Sequence, residues 1–221
     1  MTSAAKKALQ DIGTASLVAL LFSGCASREP AAQQITAQAP LPAWQPNLTM
    51  IAQLAPEVPL YEYSIRPPHG YDALDADLLK NLQPQGLDMY LWKNTHDVAT
   101  NAYLTVTVVR RANRETSTDI LDKFMDAENR RYGSDFVRTK TEVGSINHLS
   151  FARTHWQKVE RHESGDTIEM GFMYATVDTT KGVFIEGADT QPCPSQPCSY
   201  RWNSSSPIPV LEAAALTFHR Q

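Results

Sequence analysis

Positive charge is in short supply: 20 Lys and Arg face 24 Asp and Glu over 221 residues, a formal net charge of −4. Non-specific affinity for a phosphate backbone needs a cationic excess, so this balance argues against nucleic acid as a partner. Long hydrophobic runs are also missing. The longest apolar stretch, Ala15 to Phe22, falls well short of the roughly 20 residues that cross a bilayer core as a helix. Cysteine is limited to Cys25, Cys193 and Cys198, with no paired Cys-x-x-Cys of the kind that holds zinc. Signatures of chemistry are equally scarce. There is no Gly-x-Ser-x-Gly elbow, no Gly-x-Gly-x-x-Gly, no P-loop, no His-Glu-x-x-His and no aspartate-rich calcium loop.

The polar residues that do cluster have plain explanations. His148, His155 and His162 recur every seven residues, a spacing that alternates faces on an extended chain, so they read as surface or satisfied histidines rather than metal ligands. Asp75/Asp77 and Glu160/Glu163 lie in polar stretches where solvation keeps a carboxyl ordinary. Ser204-Ser205-Ser206 reads as a loop before a helix. The sequence thus nominates no catalytic residue, no cofactor and no metal site, and leans against an enzyme.

What is present begins at the N-terminus. Lys6 and Lys7, the apolar run to Phe22 and the small pair Ser23-Gly24 have the three parts of a secretory signal over residues 1–24, with a plain signal cut elsewhere or a buried apolar helix as alternatives. The ending Phe22-Ser23-Gly24-Cys25 resembles the lipobox of bacterial lipoprotein precursors. That resemblance implies cleavage before Cys25, a diacylglycerol thioether on its sulfur and N-acylation, for instance by palmitate. Acyl chains gain about 0.8 kcal/mol per buried CH₂, so they would hold the protein on a membrane without a spanning helix. Ala26 stands where inner-membrane retention calls for Asp, which implies the outer membrane, facing the periplasm. With Cys25 lipidated, Cys193 and Cys198 are left to pair in an oxidising envelope. A loop this short gives the bond about 2 kcal/mol on the chain-entropy scale. The alternatives are unpaired thiols or a redox pair, although catalytic dithiols normally have two intervening residues and here there are four.

Residues 25–59 are rich in Pro, Ala and Gln and read as a lipid-anchored tether, within which Asn47 caps a short helix that either docks or floats. The domain is expected over 60–221. Alternation predicts strands over Tyr61 to Arg66, Leu87 to Lys93, Ala102 to Arg110, Phe136 to Val143, Leu149 to Glu160, Thr167 to Val177 and Gly182 to Gly187. Thr116-Ser117-Thr118-Asp119 opens a helix over Ser117 to Tyr132, which Gly133 stops. A second helix starts near Pro209, with Leu211, Ala214, Ala215 and Phe218 on its buried face.

Strands, helix, strands, helix implies an α+β fold, a mostly antiparallel β-sheet with packed helices. The strand running into Pro67-Pro68-His69-Gly70-Tyr71, the middle helix, the run Gly144 to Leu149, the Gly171-Phe172-Met173-Tyr174 strand and the C-terminal helix resemble the Mog1/PsbP/DcrB-like α/β/α sandwich. The members of that group range from photosystem accessory proteins to envelope lipoproteins, so the resemblance implies a fold and no activity. Tyr90, Trp92, Trp156 and Trp202 are the remaining candidates for a binding surface, set against completion of the core. The expectation is a membrane-anchored envelope lipoprotein that binds a protein partner or assists an assembly. A carrier of a small or lipid-like ligand is the alternative, and a hydrolase comes third.

Overall fold

The structure, a computed structural model, describes residues 40–75, 79, 87–96, 101–110, 115–193, 197–202 and 205–221. Along these residues the chain forms α1 (Leu48–Ile51), β1 (Val58–Leu60), β2 (Tyr63–Ile65), β3 (Tyr71–Ala73), β4 (Leu87–Asn94) and β5 (Tyr103–Arg110). It continues through α2 (Ser117–Tyr132), β6 (Phe136–Arg138), β7 (Glu142–Ile146), β8 (Leu149–Glu160), β9 (Thr167–Val177), β10 (Lys181–Pro192), α3 (Ile208–Ala215) and β11 (His219–Arg220). A large antiparallel sheet has the order β3-β4-β5-β10-β9-β8-β6, with β7 also on β8, and a small sheet has the order β1-β2-β11.

Both faces of the large sheet are covered. Leu104, Val106, Val183, Ile185, Phe172, Tyr174 and Phe151 line one face, against Leu211, Ala214 and Ala215 of α3, Phe218, and Tyr63 and Ile65 of the small sheet. Burying a side chain of this size stabilises the fold by about 1.5–3 kcal/mol. Helix α2 covers the other face through Ile120, Leu121 and Met125, and Phe124 packs on Phe184. The α+β class is therefore as expected. So are the bounds of β8, β9 and α2. Thr116 and Asp119 form a reciprocal capping box, Arg130 and Arg131 sit in the last turn of α2, and Gly133 ends it at φ 56°.

Several boundaries differ from expectation. Among the described residues, 42–55, expected in the tether, lie on the domain, and α1 packs beside α3. The expected strand Tyr61 to Arg66 is instead the β1-β2 hairpin, since Tyr61 adopts φ 59° and turns the chain. The expected strand Phe136 to Val143 is two, β6 and β7. Between them Thr139 donates its N–H to the His155 carbonyl while its hydroxyl accepts from the His155 N–H, so a side chain takes a backbone place in the ladder and shifts the register. β10 runs five residues beyond Gly187 because Thr190 to Pro192 keep pairing with β9. The run Gly144 to Leu149 is a tight hairpin, with Asn147 and His148 both at positive φ. The C-terminal helix buries Leu211, Ala214 and Ala215 as expected but ends at Ala215, so Phe218 is buried beyond it, and β11 then adds a short unanticipated strand beside β2.

Candidate functional site

Two clusters of titratable side chains, one on each face of the large sheet, are the candidate sites. The first lies under α2. Lys158 and Glu169 are direct cross-strand neighbours on β8 and β9, with Nζ 2.9 Å from the Glu169 carboxylate and 3.2 Å from that of Glu160. Tyr103 donates to Glu169 at 2.9 Å from β5, and Tyr132 donates to Glu160 at 2.9 Å from α2. The ammonium lies 4.9 Å from the Tyr132 ring centre and 5.5 Å from that of Trp156. Burial works against this cation, but Glu169 and Glu160 outweigh it and push its pKa up. Glu186, on the same face of β10, is pushed up to about 8, first by burial and then by the Glu169 charge. Burial also raises Glu128 on α2. Lys158 thus offsets part of the charge of Glu169 and Glu160, and Glu186 keeps its proton near neutral pH.

The second cluster faces α3. Tyr174 donates to Glu212 at 2.7 Å, His155 Nε2 lies 3.2 Å from the same carboxylate oxygen, and Arg153 donates to the Tyr174 hydroxyl at 3.3 Å. Arg153 also forms a 2.8 Å ion pair with Glu142. Burial alone would raise Glu212; hydrogen bonds from His155 and Tyr174 overcome it and hold its pKa below the usual carboxylate value. Trp44 roofs this cluster. Its ring lies 4.2 Å from the Arg153 guanidinium carbon and 5.6 Å, edge-on, from Tyr174, and it fills the space a side chain at Gly144 would need. Contacts of this kind contribute about 0.5–1 kcal/mol for the cation and a comparable amount for the ring pair.

A third arrangement has the outline of a nucleophile and base. Ser64 Oγ lies 3.0 Å from His219 Nε2, and His219 Nδ1 lies 3.0 Å from the Thr217 carbonyl oxygen. Ser64 is fully buried, and Glu57 approaches Nε2 at 3.4 Å, the nitrogen a base would use. These two side chains are cross-strand neighbours of the small sheet, and that pairing accounts for their contact.

Of the residues singled out from sequence, Cys193 and Cys198 form a disulfide with Cα atoms 5.5 Å apart. Cys25 lies outside the described residues. His148 sits in a turn, His155 bonds Glu212 and His162 lies 3.5 Å from Glu160, so the three do not converge. Among the described residues no group of three or more His, Cys, Asp or Glu could hold a metal ion, and no helix is long and apolar enough to cross a membrane. Trp92 and Trp156 are buried in the sheet, Trp202 is 59% exposed against Tyr200, and Tyr90 is half-buried between Trp92 and the exposed Tyr61. Glu160, expected in solvent, is only partly exposed beside Lys158, whereas Glu163 is exposed. Asp77 lies outside the described residues.

The Lys158 cluster was missed because strand alternation assigned its residues to solvent. The available signal was β9 itself, where Met173 and Ala175 are apolar on the supposedly polar face and so mark a sheet covered on both sides.

Compared with known families and with curated proteins, the chain matches none. One solved structure, of a protein from Bacteroides thetaiotaomicron, is 12% identical with a TM-score of 0.40; the match covers 72% of this chain and 45% of that one. This chain therefore spans less than half of that protein's length.

Proposed function

We propose that the chain is a lipid-anchored envelope protein, held by acyl chains on Cys25, whose α+β domain binds another protein or assists an assembly at the membrane. The observation that carries this reading is the Cys193–Cys198 bond, which leaves Cys25 as the only other cysteine, directly behind an apolar run and two small residues. A disulfide suits an oxidising compartment, and a cysteine in that position suits thioether lipidation. Supporting the binding role, the groups within each titratable cluster bond to one another, while Tyr61 and Trp202 present aromatic rings outward. The outer membrane, facing the periplasm, is the location that Ala26 favours, and a Mog1/PsbP-like sandwich is the fold group that the element order favours. The test is metabolic labelling with a palmitate analogue, combined with in-cell crosslinking of the full-length protein. Labelling lost on Cys25→Ser, together with capture of a reproducible protein partner, is the expected result. Unchanged labelling overturns the anchor, and recovery of a small molecule with no protein above background overturns the binding role.

A further inference from the structure

The β1–β2 hairpin turns on Tyr61 and Glu62, between the paired residues Leu60 and Tyr63. A two-residue turn with positive φ at its first central position favours glycine there, yet Tyr61 takes that place at φ 59°. Burial does not explain the choice, because Tyr61 remains 73% exposed. Its ring stands edge-on to Tyr90, with centroids 6.3 Å apart and planes at 71°, and Tyr90 is stacked in turn on the buried Trp92. The two tyrosines are thus the walls of an aromatic corner. Asp88 lies two residues before Tyr90 on the same face of β4, exposed and joined to no cation among the described residues. Its charge reaches Tyr90, whose hydroxyl is pushed up to about 12 by burial first, then by Tyr61 and Asp88. The neighbouring carboxylate of Glu62, by contrast, is already held by Lys181 and Arg220.

Two ring faces at a wide angle, with an uncommitted carboxylate beside them, suit one side chain above others. A guanidinium is planar, stacks on an aromatic face and forks to a carboxylate, whereas an ammonium is a strongly hydrated point charge. The fold already uses this arrangement internally, where Arg153 lies 4.2 Å from the Trp44 ring and pairs with Glu142 at 2.8 Å. We infer that Tyr61, Tyr90 and Asp88 form a docking corner for an arginine side chain presented by a protein partner. This rests on the reading of the domain as a protein-binding module and names the chemistry its partner carries. Tyrosine and arginine are the residues that dominate interface energies. The turn and Tyr90 hold the Tyr61 ring in place before a partner arrives, so binding orders little, and the backbone strain at Tyr61 is the local cost of that preorganisation.

Nuclear magnetic resonance on the full-length protein tests the corner, with acetyl-Gly-Gly-Arg-Gly-Gly-amide as probe beside the same peptide carrying citrulline, which keeps the plane and loses the charge. The arginine peptide should give saturable shifts in the Tyr61, Glu62 and Tyr90 amides and bind about fivefold more tightly than the citrulline peptide. Asp88→Asn should weaken it by about the same factor, and Tyr61→Phe should keep it. Tyr61→Gly should lose it while the amide spectrum of the large sheet stays as in the wild type, since glycine takes that φ without strain. Equal binding of the two peptides, or unchanged binding in Tyr61→Gly, overturns the corner. In cells, p-benzoylphenylalanine in place of Tyr61 should crosslink to a partner segment that contains arginine; crosslinks to lipid, to a second copy of this chain or to a segment without arginine overturn the proposal. A partner captured at a yield that Tyr61→Gly and Asp88→Asn leave unchanged overturns the corner while the protein-binding reading stands. Arginine-peptide binding at the corner with no protein captured in cells overturns that reading while the guanidinium site stands.

Discussion

Glu186→Gln replaces a carboxyl, held at a pKa of about 8 by burial and by Glu169, with a neutral group of the same shape. The ordinary value is 4.5. Between these two pH values the folded chain keeps a proton that the unfolded chain releases. The contribution to stability is therefore complete below about pH 4.5 and is lost as pH rises through about 8. At about 1.4 kcal/mol per pH unit the loss is on the order of 5 kcal/mol. That is a large share of the roughly 5–15 kcal/mol that stabilises a typical domain. For a domain of this size each kcal/mol moves Tm by about 2–4 °C, so melting followed by circular dichroism at fixed ionic strength should fall by roughly 10 °C between pH 5 and pH 8.5. The glutamine variant should lose far less over that interval and should melt above the wild type at pH 8.5. Tyr103, Lys158, Glu169 and Glu128 surround the site; of the other carboxyls, Glu128 is also raised and adds a shallower fall in both proteins. Parallel pH profiles for the two proteins would refute the reasoning.

Lys158→Met should leave Glu169 and Glu160 facing each other without their cation and cost about 3–5 kcal/mol in urea unfolding; a Lys158→Met/Glu169→Met double variant should recover most of that loss. Thr116→Ala removes one half of the capping box and should cost about 1 kcal/mol, read from the same unfolding curves. Replacing both Cys193 and Cys198 by Ser should lower stability by about 2 kcal/mol without changing the far-ultraviolet spectrum, since the loop closed is short. A spectrum that collapses would mean the bond organises more than its own loop.

Strand and helix positions were legible wherever local pattern and tertiary burial agree. Helix α2 is the clearest case, with cap, stripe, basic last turn and glycine stop all written between Thr116 and Gly133. β8 and β9 were equally readable from alternation. Tyr61 was not, because a tyrosine at positive φ is set by the packing of its ring on Tyr90 and by the pairing of Leu60 with Tyr63, and neither leaves a local trace. The Thr139 bulge escaped for a related reason: a threonine that substitutes its hydroxyl for a backbone group looks like any other strand threonine. Of the candidate sites, the disulfide was legible once the lipobox resemblance set Cys25 aside, with free thiols and a redox pair as the alternatives. Lys158, Glu169 and Glu186 come from three different strands and meet only through register. Trp44 was hidden by composition, since a proline-rich stretch reads as unstructured when its partner, Gly144, lies a hundred residues away.

The small sheet joins the two ends of the described chain. β2 lies between β1 and β11, His219 pairs with Ser64, and Phe218 stacks on Tyr63 at 5.0 Å. A growing chain therefore carries an unfinished β2 through the making of every strand of the large sheet. It can close that layer only when Phe218, His219 and Arg220 arrive. Completion is a late, non-local step, slow by the logic that long-range pairing delays folding. Deleting the chain from Phe218 onward would strand Tyr63 and Ile65 without their cover.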